Sequence, residues 1–83
     1  MAQKKIIKIH GRDNVAIAIH GIPAGTQVTD GLFARQDIPQ GHKIALRDLP
    51  KGGEIRRYGV VLGYALDEIK KGDWINERMI SLP

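Results

Sequence analysis

Asp37-Ile38-Pro39-Gln40-Gly41-His42-Lys43-Ile44-Ala45-Leu46 holds the pattern from which the fold can be read. A proline and a glycine two residues apart fix a tight turn: Pro presets its own φ, and Gly supplies the backbone conformation that closes the bend. An apolar run suited to a strand follows at once. His42 and Lys43 stand where the chain leaves the turn, held by a rigid frame yet within reach of solvent. The same device recurs as Ile22-Pro23-Ala24-Gly25, Leu49-Pro50-Lys51-Gly52 and Ile69-Lys70-Lys71-Gly72. Three of the four carry Pro in second place, and Asp37, Asp48 and Glu68 precede three of them. In each, the aliphatic residue is expected to plug into a core. The spacing is uneven, so this is a recurrent turn, not a solenoid repeat.

Between the turns lie short β-prone runs. Lys5–His10 and Val15–His20 read as a hairpin around Gly11-Arg12-Asp13-Asn14, with Val15, Ile17 and Ile19 sharing one face. Val28 opens a polar loop through Gly31. Leu32–Arg35, His42–Leu46, Glu54–Tyr58 and Val60–Ala65 read as strands, and Trp74-Ile75 and Met79–Leu82 finish the chain. No window keeps a helical period for three turns; Leu66–Lys71 allows one short helical turn at most. Ten glycines and four prolines among such runs predict a compact all-β domain over 1–83.

Eighty-three residues support one domain with a modest core. Cysteine is absent, which removes disulfides and thiol chemistry and fits a cytoplasmic location. No apolar run nears the ~20 residues of a membrane span, and no secretory leader is visible. The net charge of +4 and the pI near 9.7 come from scattered basic residues. With only Phe33, Tyr58, Tyr64 and Trp74 as aromatics, nucleic-acid binding is not indicated; anionic small molecules fit better. No GxSxG, HExxH, P-loop or CxxC motif is present.

Among candidate site residues, His10 and His20 read as strand-end groups facing water. His42 either reaches a ligand or bonds turn carbonyls and braces the next strand. Arg56 and Arg57 can grip a carboxylate bidentately, but strand alternation sends them to opposite faces. Asn76-Glu77-Arg78 reads as a solvated turn or as a contact for a cation or hydroxyl. These residues describe a small all-β module with a positioned His-Lys pair, and no reaction.

Asp13–Ala18, Pro23–Thr26, Ile38–Leu46 and Tyr58-Gly59-Val60-Val61-Leu62-Gly63-Tyr64-Ala65 together resemble the N-terminal SAF domain of the altronate/galactarate dehydratase family. The Gly-His-Lys and Tyr-Gly-x-x-x-Gly elements carry most of that likeness, which covers nearly the whole chain. At the tail, Gly72-Asp73-Trp74-Ile75-Asn76-Glu77 and Leu82-Pro83 are similar to the galactarate branch, in place of the His-x-His-Asn of altronate dehydratases. Sulfolactate sulfo-lyase small subunits are also similar. The resemblance implies a β-clip fold and a part in a hydro-lyase that removes water from a sugar acid with a divalent metal, commonly iron. Most of the machinery would lie in a larger C-terminal region or large subunit, so the chain alone would be inactive. It further implies His42 as a candidate catalytic contributor and Lys43 as an electrostatic neighbour for substrate carboxylates; Arg57 is the second candidate substrate contact, from its own guanidinium chemistry. His42, Asn76 and Glu77 are the implied metal contacts. A homo-oligomer is compatible with it, as is a stand-alone carbohydrate- or anion-binding module.

Overall fold

The computed structural model describes residues 4–8 and 10–83, and among these every regular element but one is a strand. A four-stranded antiparallel sheet runs through the middle in the order β1 (Ile6–Ile7), β2 (Val15–Ala18), β5 (Lys43–Ala45), β8 (Trp74–Ile75). The hairpin β3 (Gln27–Thr29) and β4 (Leu32–Phe33) forms a second sheet. The third holds β6 (Glu54–Arg57), β7 (Val60–Ala65) and β9 (Ile80–Ser81). The fold is all-β, as expected, and its small antiparallel sheets are compatible with a β-clip.

The central sheet is buried on both faces. Ala16, Ala18 and Ile44 join Ile22, Val28, Leu32, Ala34 and Ile38 in one core. Val15, Ala45 and Ile75 join Leu49, Ile55, Ala65 and Ile69 in another. Neighbours on one strand, such as Val15 and Ala16 or Ile44 and Ala45, thus feed opposite cores, as a pleat with period two requires. This refines the one-faced reading of β2: Ala16 and Ala18 are each 1% exposed, so the small residues are interior as well.

All four glycine turns form, and they interlock. Gly25, Gly41, Gly52 and Gly72 have φ of 85°, 79°, 81° and 91°. In each, the carbonyl two residues before Gly accepts from the N–H one residue after it, at 2.8–3.1 Å, the arrangement of a type II turn. Ile22 then bridges Ile38, and Leu49 bridges Ile69. Each turn also clasps an alanine: the Gly N–H donates to its carbonyl, and its N–H donates to the carbonyl after Gly. Turn Gly25 holds Ala34, Gly41 holds Ala18, Gly52 holds Ala65 and Gly72 holds Ala45, all at 2.8–2.9 Å. Every one of these alanines lies four residues before one of the four aliphatic plugs. The unit is therefore Ala-x-x-x-aliphatic-x-x-Gly, paired reciprocally within each lobe. Asp37 Oδ1 accepts from Ala24 N and Asp48 Oδ1 from Lys71 N, both at 2.8 Å, so two of the preceding acids brace the partner's turn.

Three stretches differ from expectation. Residues 28–31, expected as a polar loop, give up Val28 and Thr29 to β3, because Val28 buries (8% exposed) and Asp30-Gly31 closes a two-residue hairpin with Gly31 at φ 74°. Residues 66–71 form no helical turn; Ile69 is instead committed to its bridge, and the single 3-10 turn among the described residues is Glu77–Met79. Gly11-Arg12-Asp13-Asn14 is a turn, but Asp13 and Asn14 point inward at 5% and 3% exposure. Asp13 accepts from the N–H groups of Tyr58, Gly59 and His10 at 2.8–3.1 Å. Burial pushes its carboxyl up, but these donors and the His10 charge outweigh that and hold it below the usual 3.8. Asn14 accepts from Arg56 N (2.9 Å) and donates to the Glu54 carbonyl (2.7 Å), where β6 and β7 slip register. The pair pins the β6–β7 hairpin, whose Tyr58-Gly59 turn has both φ positive, at 58° and 74°. Ile9, in the first predicted run, lies outside the described residues. Among the described residues no helix is long and apolar enough to cross a membrane.

Candidate functional site

β5 and β8 pair with Lys43 opposite Ile75 and Ile44 opposite Trp74. That register brings the exit of the Gly41 turn against the tail that follows β8. The result is an open groove of about 540 Å³ lined by residues 41–43 and 74–78. His42, Lys43, Asn76 and Glu77 all lie on it, joined by Trp74 and Arg78. Four of the five residues singled out from the sequence therefore meet. Arg57 does not line the groove. It is half-buried on β6, its guanidinium carbon lies 4.9 Å from the Tyr58 ring centroid, and its buried Nε has no partner among the described residues.

His42 is exposed. Its Nδ1 accepts from Trp74 Nε1 at 3.1 Å, with ring centroids 5.7 Å apart and planes tilted by 58°. Trp74 is fixed in turn: its backbone N–H donates to Gln36 Oε1 (2.8 Å), and Gln36 Nε2 donates to Asp73 Oδ1 (3.1 Å). Asp73, 8% exposed, also takes Arg35 Nη1 (3.0 Å) and the Lys70 N–H (2.8 Å). His10 and His20 are exposed at strand ends.

Lys43 follows His42, yet strand alternation turns it the other way. It shares the face of Ala45 and Ile75, whereas His42 falls with Ile44 and Trp74. The two do not form a side-by-side pair but flank the groove from opposite faces of β5. Partial burial, then the charge of Arg57, lowers the Lys43 ammonium below the usual 10.5, and Glu77 offsets part of this. Asn76 is the N-cap of the 3-10 turn, its Oδ1 accepting from Arg78 N at 3.0 Å.

His42, Asn76 and Glu77, the implied metal contacts, all line the groove. His42 Nδ1 and Asn76 Oδ1 each accept from an N–H donor, which leaves His42 Nε2, the second lone pair of Asn76 Oδ1 and the Glu77 carboxylate. Among the described residues, no group of three or more His, Cys, Asp or Glu side chains could hold a metal ion.

Trp74 and Gln36 were not singled out from the sequence. A lone tryptophan in a short strand reads as core, and Trp74 does pack against one. The signal that was available is its place opposite Ile44 once the tail pairs with the strand after His42.

Residues 4–83 match the family described as the altronate/galactarate dehydratase SAF domain. The chain is 54% identical over 79 residues to galactarate dehydratase (L-threo-forming) of Escherichia coli K12, covering 93% of this chain and 15% of that enzyme. It is 45% identical over 69 residues to altronate dehydratase of the same organism, covering 80% of this chain and 14% of the enzyme. The alpha subunit of (2R)-sulfolactate sulfo-lyase from Chromohalobacter salexigens is 29% identical over 80 residues, with 82% of this chain and 84% of that subunit covered. The chain thus spans about one-seventh of each dehydratase and most of the lyase subunit. By its sequence match, the chain belongs to the altronate/galactarate dehydratase SAF domain family.

Proposed function

We propose that this chain is the SAF domain of a cytoplasmic sugar-acid hydro-lyase acting on galactarate, and that its groove helps form the site where water is eliminated. The observation that carries this is the meeting of His42, Lys43, Asn76 and Glu77 at one groove, built from two segments distant in sequence. The similarity to the E. coli galactarate enzyme supports the choice of substrate. Elimination next to a carboxylate creates negative charge on the carboxylate as the α-proton leaves and on the departing β-hydroxyl. Lys43 supplies a cation for the first, held partly away from water. His42 supplies a polar hydrogen-bonding edge for the second. A divalent metal would polarise the substrate's oxygens, with the larger catalytic region completing whatever ligands His42, Asn76 and Glu77 contribute.

The test is the full-length enzyme with His42→Ala, measured for carbonyl product from galactarate and from altronate. We expect kcat/KM for galactarate to fall at least about tenfold, the worth of one hydrogen bond to a charged group, with galactarate preferred by the wild type. Unchanged turnover would remove the groove from the active site. The 84% coverage of the sulfo-lyase alpha subunit supports a second reading, in which these residues act as the small subunit of a two-chain lyase. That reading predicts activity when the chain is mixed with a separately expressed large subunit.

A further inference from the structure

The bond between His42 and Trp74 bears on which atom of the imidazole can act. An indole N–H only donates. Nδ1 of His42, 3.1 Å from Trp74 Nε1, must therefore offer a lone pair. A neutral imidazole with a lone pair on Nδ1 carries its proton on Nε2. Nε2 is the nitrogen left over for the groove that His42 lines, so the edge turned to a ligand is a donor. The tryptophan is not free to swing away. Its backbone is anchored to Gln36 and its strand is paired with β5, and the tilted ring contact holds the imidazole plane. Protonating Nδ1 would set two N–H groups against each other and break the contact.

We infer that Trp74 is a positioning residue that locks His42 in the tautomer with its proton on Nε2, so that the imidazole serves a substrate oxygen as a hydrogen-bond donor and not as the base that takes the α-proton. This rests on the groove belonging to the elimination site. The acceptor is an oxygen of the sugar acid, either a carboxylate oxygen or the departing hydroxyl. Donation there is strongest as negative charge builds, which is where a fixed donor lowers a barrier. The proton-abstracting base then lies outside this pair of rings.

The tautomer is read directly by long-range proton–nitrogen NMR of the nitrogen-15-labelled 83-residue chain. The expected result is a single Nε2–H tautomer for His42, while exposed His20 shows the usual mixture. Trp74→Phe is expected to relax His42 to a mixture like that of His20. A wild-type His42 with its proton on Nδ1, or averaging like His20, overturns the inference even if the Trp74 variant fails to fold. In the full-length enzyme, His42→Gln keeps an N–H near the Nε2 position and is expected to retain at least about tenfold more kcat/KM than His42→Ala. Equal loss in both variants overturns the donor role. A locked tautomer together with undiminished His42→Ala turnover would instead sink the proposed function and leave the lock standing.

Discussion

At the scale of single residues, the groove combines side chains that fold stability would not choose. Lys43 is the clearest case. Its ammonium is partly removed from water on the face of Ala45 and Ile75, with a second cation, Arg57, acting on it. Both effects lower its folded pKa below 10.5, so the folded state binds the proton less tightly than the unfolded chain does. Stability therefore rises as pH climbs through the lowered folded value, and below that value the charged Lys43 is a standing cost. Lys43→Met keeps the length of the stem and removes the charge. Its thermal midpoint at pH 7 is expected to exceed that of the wild type, with the gap narrowing as pH approaches the usual lysine value. On the proposed role of Lys43 as a substrate contact, turnover of the full-length enzyme should move the opposite way. A variant less stable than the wild type at pH 7 would show that the ammonium contributes more by its contacts than it costs by its burial.

At the scale of elements, the four glycine turns share a conformation but not a neighbourhood, and this separates two costs. Gly41 has φ 79° and open space where a Cβ would stand; Gly72 has φ 91°, and there a Cβ would collide with the Phe33 carbonyl oxygen. Gly41→Ala should cost about 1–2 kcal/mol, the strain of a left-handed backbone alone. Gly72→Ala must also displace the segment that carries β4 and should cost clearly more, read as a larger drop in urea midpoint. Equal drops would mean that the contact at Gly72 relaxes freely. These turns were legible in the sequence because their chemistry is local: Pro and Gly act on their own backbone. The alanine clasps were not. Ala18, Ala34, Ala45 and Ala65 act through backbone groups bonded to distant segments, and an alanine side chain announces nothing. The one available trace was their constant spacing of four residues before each plug. β3 was missed because its three residues show a single apolar side chain, Val28. The groove was half legible. The turn displayed His42 and Lys43, but only the β5–β8 register decides that Trp74 meets the imidazole, and Arg57 stays outside with β6.

At the scale of the molecule, two small cores share one sheet, and that sharing sets how the chain unfolds. Val15 and Ala16, or Ile44 and Ala45, are adjacent on their strands and fill opposite cores, so neither lobe can lose its packing without loosening the strands that support the other. A chain of this size cannot maintain two independent domains in any case. Ile38 and Ile69 are equivalent plugs, each 1% exposed, one in each core. Truncating either to alanine leaves a cavity and should cost about 2–5 kcal/mol. Because the sheet couples the lobes, each truncation should lower one common transition and not split it. Far-ultraviolet circular dichroism and the fluorescence of Trp74, which packs against the Ile38 core, should report the same midpoint in Ile69→Ala, although the mutated side chain lies in the other core. A Trp74 signal that melts at the wild-type temperature while the dichroism shifts would show that the lobes unfold separately. The His42–Trp74 end of the groove would then rest on one lobe alone, because Trp74 packs against the Ile38 core and holds His42 there. Coincident midpoints would mean that packing around Ile69, remote from the imidazole, holds the site together through β5 and β8.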